Sequence, residues 1–271
     1  MLTLDLAIVT HRQEGIRRVA AMRLPVMEGV RYVVSWQSHE DAPVPRELMR
    51  DDVEVHRFDG TGISANRNNA LAHCRADIVL FADDDITVSP EGLTGVRRVY
   101  EENPEVDVAT FRSEYGDMSR FPAAEADLTH GFPKGYSVSS IELSLRRATA
   151  GALRCCPELG IGGRRFLGGE DEVLLLTAIR RGLNCRFFPV TVCAHPGEST
   201  GTKRDLSDGN IRAAGVLIAL AYPLTAFLRV PLKAWRLARS GRAPLWRALR
   251  LTAAGAFAAP ALRRRNREFL W

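Results

Sequence analysis

The chain predicts an α/β fold: a mostly parallel, doubly wound sheet with helices on both faces, followed by a basic, apolar helical appendage. Three observations carry this. Short apolar runs alternate with amphipathic stretches from Leu4 to Phe111, as strands and helices do in parallel sheets. One run, Ile78-Val79-Leu80-Phe81-Ala82, is apolar on both faces and leads straight into Asp83-Asp84-Asp85, which suits a strand in the middle of such a sheet. The composition then changes near the end. Arg212 to Trp271 hold 12 Lys and Arg against a single acid, Glu268, a net of +11. The residues before them hold 25 basic and 31 acidic side chains, a net of −6. The net charge of +5 therefore hides an acidic body and a basic tail.

Taken in order, Leu4 to Thr10 is the first strand, with Thr10, His11 and Arg12 at its C-terminal end. Gln13 to Leu24 places Ile16, Val19 and Ala20 on one side of a helix. Val30 to Trp36 is a second strand, closing on Ser35-Trp36-Gln37-Ser38. Trp36 there has two readings, stacking on a base or simple packing. Val53 to Phe58 alternates as a half-exposed strand. Gly62-Ile63-Ser64 is a turn with Ser64 as N-cap. The helix Ala65 to Cys74 follows, with Ala70, Leu71 and Cys74 at helical spacing and Arg67, Asn68 and Asn69 opposite them.

After the three aspartates, Ser89 caps a helix that Pro90 opens and Glu102 closes. Val106 to Phe111 is a further strand. Residues 112–136 lack periodicity and read as a long loop. Val138 to Arg147 alternates at period two as a half-exposed strand, and Ala148 to Leu153 is a short helix. Gly168-Gly169-Glu170-Asp171 precede a helix from Glu172 to Arg181, ended by Gly182. Asn184 to Val190 is the last strand, leading to His195 and a loop rich in Gly and hydroxyls.

Three consecutive carboxylates repel one another and add nothing to a strand end. In open α/β sheets that location binds ligands. Asp83 and Asp85, two apart, turn towards one hard cation while Asp84 points elsewhere, for instance to a sugar hydroxyl. Oxygen ligands suit Mg²⁺ or Mn²⁺, which complete their shells with substrate phosphates. The plain structural reading is a solvated acidic loop capping the next helix. For Glu170, Asp171 and Glu172 the plain reading is that acids suit a helix N-terminus.

The segment Gly62 to Thr87 resembles the core of the inverting family 2 glycosyltransferases of GT-A fold. These show a Gly-Leu-Ser-x-x-Arg-Asn-x-Ala helix and then a strand ending in Asp-x-Asp. Gly62, Ser64, Arg67, Asn68, Ala70 and Asp83 to Asp85 fall in place. The resemblance covers roughly residues 3–201. It implies that Asp83 and Asp84 hold the nucleotide's ribose, that Asp85 bridges a metal to the diphosphate, and that Arg67 lies near the nucleotide. It places Thr10, His11 and Arg12 in a turn beside the nucleotide and reads Glu170-Asp171 as the pair whose Asp171 is the general base. It makes His195 a third metal or diphosphate contact, and Lys203 a cover for the diphosphate. Where the family has an Asp-rich turn after its second strand, this chain has Ser35-Trp36-Gln37-Ser38, so the nucleotide base stays open.

The expected domains follow: residues 1–204 as the catalytic domain, with a nucleotide-sugar half to about 111 and an acceptor half from 112, and 205–271 as a membrane-associating region. The 271 residues, 46% of them hydrophobic and 25% charged, are ordinary for a globular chain. The five cysteines lack zinc-site spacing and read as reduced thiols of a cytosolic protein. No basic n-region opens the sequence, so no signal peptide is expected. Ala213 to Phe227 is apolar but, at 15 residues, short of the roughly 20 needed to span a bilayer. Beyond it Trp and Leu interleave with Lys and Arg. That describes helices in a membrane interface, drawn by anionic lipid at about 1 kcal/mol per charge. A hairpin packed on the catalytic domain with a solvated basic face has the same pattern. Nucleic acid is not the expected partner.

The expected activity is metal-dependent, inverting transfer of a sugar from a nucleotide-diphosphate sugar to a hydroxyl. The acceptor is a glycan or polyprenyl-linked glycan in surface-polysaccharide or glycolipid assembly, at the inner face of the cytoplasmic membrane. Two alternatives stand beside it. Asp83-Asp84-Asp85-Ile86-Thr87 also fits the Asp-x-Asp-x-Thr of haloacid-dehalogenase-type phosphohydrolases, with Asp83 as nucleophile. An inactive scaffold of the same fold at the membrane is the other.

Overall fold

The structure, a computed structural model, describes residues 1–114, 118–163, 165–195 and 206–271. The chain divides into two compact units. The first comprises Met1–Thr61, Ala65–Arg154 and Ala178–Gly197; the second comprises Gly62–Ser64, Cys155–Thr177 and Glu198–Trp271. The boundary expected at 204 lies outside the described residues. The segment Cys155–Thr177, expected in the catalytic domain, groups with the C-terminal helices.

The first unit is built on one nine-stranded sheet. Its strands are β1 (Leu4–His11), β2 (Val30–Gln37), β3 (Val53–Phe58), β4 (Ile78–Asp83), β5 (Thr87–Val88), β6 (Val108–Glu114), β7 (Ala126–Asp127), β8 (Leu143–Arg146) and β9 (Cys185–Ala194). The order is β3-β2-β1-β4-β8-β6-β9-β5, with β7 pairing on β9. β3, β2, β1 and β4 run parallel, β6 and β9 pair in parallel, and β8 lies antiparallel between β4 and β6. β1 and β4 are flanked on both sides and read as almost continuous apolar runs, as strands covered on both faces must. The core gathers Leu4, Leu6, Ile8, Tyr32, Val34 and Trp36 with Leu93 and Val96 of the helix Pro90–Glu102.

Helices connect the strands: α1 (Arg12–Ala21), α2 (Ile63–His73), α3 (Pro90–Glu102), α4 (Arg147–Ala150) and α5 (Glu170–Arg180). Ser89 caps α3 as expected, its side chain accepting from the Gly92 amide at 3.0 Å. Ser64 does not cap α2. The helix already begins at Ile63, and the Ser64 hydroxyl donates to the Leu159 carbonyl at 2.8 Å. The strand expected from Val138 to Arg147 is shorter. Ser139 and Glu142 close a reciprocal capping box around one 3₁₀ turn, Ser140–Glu142, and only Leu143–Arg146 extends. Gly182 ends α5 in a left-handed conformation, φ +78°, and the Leu183 amide reaches back to the Ala178 carbonyl at 3.1 Å.

In the second unit the helices are α6 (Asp208–Ala221), α7 (Ala226–Arg239) and α8 (Leu245–Arg265). Pro223 falls between the first two, so the apolar stretch Ala213 to Phe227 is no single helix. Ile211, Ala234, Leu237, Ala248 and Leu251 make their common core. Among the described residues no helix is long and apolar enough to cross a membrane.

Candidate active site

Parallel pairing brings the C-terminal ends of β1, β2, β3 and β4 to one edge of the sheet. His11 lies level with Gln37, Gln37 with Phe58, and Val9 with Asp83. The order 3-2-1-4 sends the chain from β1 outward through β2 and β3, then back across to β4 on β1's other side. The crevice between β1 and β4 is thus the topological switch point, where open α/β sheets take their ligands. The three aspartates leave β4 there.

They divide in alternation. Asp84 turns inward, 8% exposed, and both its oxygens are held. Thr10 Oγ1 donates to Oδ2 at 2.6 Å, while Arg18 Nε and Nη2 donate to Oδ1 and Oδ2 at 3.0 and 2.9 Å. Burial pushes the Asp84 carboxyl above its ordinary value, against the pull of Arg18 and Thr10. Gly15 of α1 makes the approach feasible, since a Cβ there would stand 2.2 Å from Thr10 Oγ1 and 2.8 Å from Asp84 Oδ2. Asp84 and Thr10, which the resemblance places on the nucleotide, brace α1 against β1 and β4 here.

Asp83 and Asp85 face outward, with side chains 32% and 48% exposed. Arg67, its side chain 3% exposed, points one nitrogen, Nη2, at Asp83 Oδ1 at 3.3 Å and at Ser140 Oγ at 2.6 Å. Asp85 Oδ1 lies 3.3 Å from His195 Nε2. This second meeting is set by β5, whose Thr87 and Val88 pair with Ala194 and Cys193 of β9 and so bring His195 back to the aspartates. The expected trio Asp83, Asp85 and His195 is therefore only partly assembled. Asp85 and His195 meet, while Asp83 pairs with Arg67. Among the described residues no three His, Cys, Asp or Glu side chains gather as a ready metal cage. A half-exposed carboxylate beside a largely buried imidazole fits an ion whose remaining ligands come from phosphate and water.

Trp36 is wholly buried, and its Nε1 donates to the Arg12 carbonyl at 2.8 Å. It packs, and offers no face to a base. Arg12 takes the left-handed region, φ +62°, uncommon for a residue with a Cβ. His11 and Arg12 are exposed at the edge, and Asn68 lies in the exposed-to-buried boundary of α2. Lys203 lies outside the described residues.

Polar positions that the sequence reading passed over hold this edge together. Asn66 Nδ2 donates to the Thr10 carbonyl at 3.0 Å, Ser35 Oγ donates to Asn66 Oδ1 at 2.5 Å, and Asn69 Nδ2 donates to Ser35 Oγ at 2.7 Å. With Arg18 and Ser140 they position the site. Their only sequence signal was polar residues inside helices and, for Ser35, inside a strand, which names no partner.

In the second unit, Glu170, Asp171 and Glu172 occupy the first turn of α5. Gly168 and Gly169 enter it at φ +142° and +78°, a path side-chain-bearing residues rarely take. The Gly169 carbonyl accepts the first helical bond, from Val173, at 3.0 Å. Glu170 is 8% exposed. Three acids in a first turn suit the helix dipole.

The profile of the family described as "Glycosyl transferase family 2" matches residues 41–154. Among solved structures, S. aureus TarS 1–349 is similar at 13% identity and a TM-score of 0.56, over 95% of this chain and 92% of that one. TarS 1–349 in complex with UDP-GlcNAc is similar at 14% identity and a TM-score of 0.55, over 99% and 88%. Glucosyl-3-phosphoglycerate synthase from Mycobacterium tuberculosis, in complex with Mg²⁺ and UDP, is similar at 16% and 0.56, over 81% and 79%. At such identities the structural likeness speaks for the fold alone. No curated protein matches the chain in sequence. The phosphohydrolase reading of Asp83 is set aside, because the matched family, whose profile spans the aspartates, is one of glycosyl transferases. Residues 41–154 thus match the family 2 glycosyltransferases, and the mixed α/β fold is that of the GT-A neighbours.

Proposed function

We propose that the protein transfers a sugar, with inversion, from a nucleotide-diphosphate sugar to a hydroxyl of a glycan or polyprenyl-linked glycan acceptor. Surface-polysaccharide or glycolipid assembly at the cytoplasmic membrane face is the setting. The observation that carries the reading is the outward pair Asp83 and Asp85 at the switch point, one met by Arg67 and the other by His195. That TarS was solved with UDP and with UDP-GlcNAc, and the M. tuberculosis synthase with UDP, supports a nucleotide-sugar donor, with uridine as the first base to try.

In this proposal Asp85 and His195 would hold a Mn²⁺ or Mg²⁺ ion, which would supply positive charge for the departing diphosphate. Arg67 sets the Asp83 carboxylate and adds positive charge beside the diphosphate, as preorganised donors do. Asp83 accepts from the ribose hydroxyls. Asp171 takes the proton of the acceptor hydroxyl as its oxygen attacks the anomeric carbon from the face opposite the nucleotide. The bond to the diphosphate oxygen breaks with its electron pair. A carboxylate of low pKa serves, because the hydroxyl grows more acidic as the new bond forms. What supports Asp171 is the family resemblance.

The test is a donor screen with product analysis on wild type and Asp171→Asn. Loss of a positioned base lowers kcat by roughly 10²–10⁴-fold, with nucleotide affinity unchanged. An Asp171→Asn enzyme at full rate would remove Asp171 from the mechanism.

A further inference from the structure

Large apolar side chains exposed to solvent are unevenly placed. Of the fifteen among the described residues, ten fall between Tyr222 and Phe257. In α7 they form a stripe. Leu228, Leu232 and Trp235, 61%, 44% and 48% exposed, recur at i, i+4 and i+7 and so share one face. Val230, Ala234 and Leu237 form the opposite face and are buried in the helical core. α7 thus carries two apolar faces, only one of them covered among the described residues. α8 repeats the plan: Leu245, Trp246, Leu249 and Phe257 are exposed, while Ala248, Leu251 and Leu262 are buried.

The charge around the open faces is predominantly basic. Tyr222 to Arg267 contain eleven Lys and Arg and no acid, and of these Arg247 pairs with Asp208 and Arg265 with Glu158. Arg239 stands over the Trp235 ring at 5.2 Å and Arg250 over Trp246 at 5.5 Å, each one helical turn beyond its tryptophan. A tryptophan paired with an arginine, beside aliphatic side chains, suits a boundary that is apolar on one side and anionic on the other.

We infer that the open faces of α7 and α8 dock on an anionic phospholipid surface, with the Leu and Trp side chains at the acyl boundary and the arginines on the lipid phosphates. A second copy of the chain fits poorly, since it would set one predominantly basic face against another. Spanning is not the mode, as none of the described helices is long and apolar enough. The inference deepens the membrane-surface part of the proposed function and is independent of the donor chemistry.

The experiment is co-sedimentation of the full chain with phosphatidylcholine vesicles and with vesicles part phosphatidylglycerol, on wild type, Leu232→Ser/Trp235→Ser and Arg236→Gln/Arg239→Gln. Thermal melting and nucleotide-induced stabilisation verify the fold of each. Wild type is expected to sediment with the anionic vesicles, less so as salt rises, with blue-shifted tryptophan emission. Both variants are expected to partition roughly tenfold or more weakly. Failure of wild type to bind anionic vesicles while its nucleotide response persists would overturn the inference and leave the transfer reaction standing. So would a dimer by light scattering that Leu232→Ser/Trp235→Ser converts to a monomer.

Discussion

Asp83, Asp84 and Asp85 are chemically identical, and the backbone gives them separate tasks. Asp83 ends β4, and the turn that follows sends Asp84 inward and leaves Asp83 and Asp85 facing out. Asp84 then needs partners, and Thr10 and Arg18 supply them. Asp84→Ala leaves that hydroxyl and that guanidinium unanswered and is expected to cost about 1–3 kcal/mol, read as a lower midpoint in denaturant. Asp85→Ala, on a half-exposed side chain, is expected to stay within about 0.5 kcal/mol. A second residue-scale prediction concerns His56, stacked on His73 with ring centroids 3.7 Å apart. Burial and then the neighbouring His73 push His56 below its ordinary 6.5, outweighing Glu54. The folded state therefore binds fewer protons than the unfolded chain. The associated stability is present above pH 6.5 and is lost as pH falls from there through the folded value. His56→Phe is expected to flatten the fall of Tm between neutral and mildly acidic pH; an unchanged slope would contradict it.

Elements were legible where their pattern was local. β1 and β4 announced themselves as apolar runs, α3 by Ser89 and Pro90 at its start, and α5 by Gly182 at its end. The misreadings have physical causes. Between Val138 and Arg147 the alternation was outweighed by the Ser139 and Glu142 capping box, a signal also present in the sequence. β5 is two residues long, too short to carry a period, yet it is what brings His195 to Asp85. The crossing of α6 and α8 was invisible because neither helix names its partner. Gly215 and Gly255 sit at that crossing. A Cβ on Gly215 would stand 2.0 Å from the Thr252 carbonyl oxygen, and one on Gly255 2.0 Å from that of Arg212. Backbone cannot yield as a side-chain tip does. Gly255→Ala is expected to lose about 1–3 kcal/mol by overpacking, more than the roughly 1 kcal/mol an exposed helix gains from the same change. A rise in Tm would show that the helices separate at little cost.

At the scale of the whole molecule, the acidic body and basic tail seen in the sequence mark two regions with separate work. The sheet's switch point gathers the acidic cluster proposed as the donor site, and the C-terminal helices keep their apolar faces open among arginines. The meeting of Arg67 with Asp83 was legible in the sequence because the two lie close together along the chain. The bracing of the site by Arg18, Asn66, Asn69 and Ser140 was not, because those contacts span 31 to 73 positions and only the folded sheet brings them together. We propose that the outward aspartates, with His195, bind a nucleotide diphosphate through a divalent metal. Thermal shift with UDP, GDP and dTDP, with Mn²⁺ and after chelation, tests it on wild type and Asp85→Ala. Stabilisation by one nucleotide that needs Mn²⁺ and disappears in Asp85→Ala is the result expected. Stabilisation that survives both chelation and Asp85→Ala would contradict the claim.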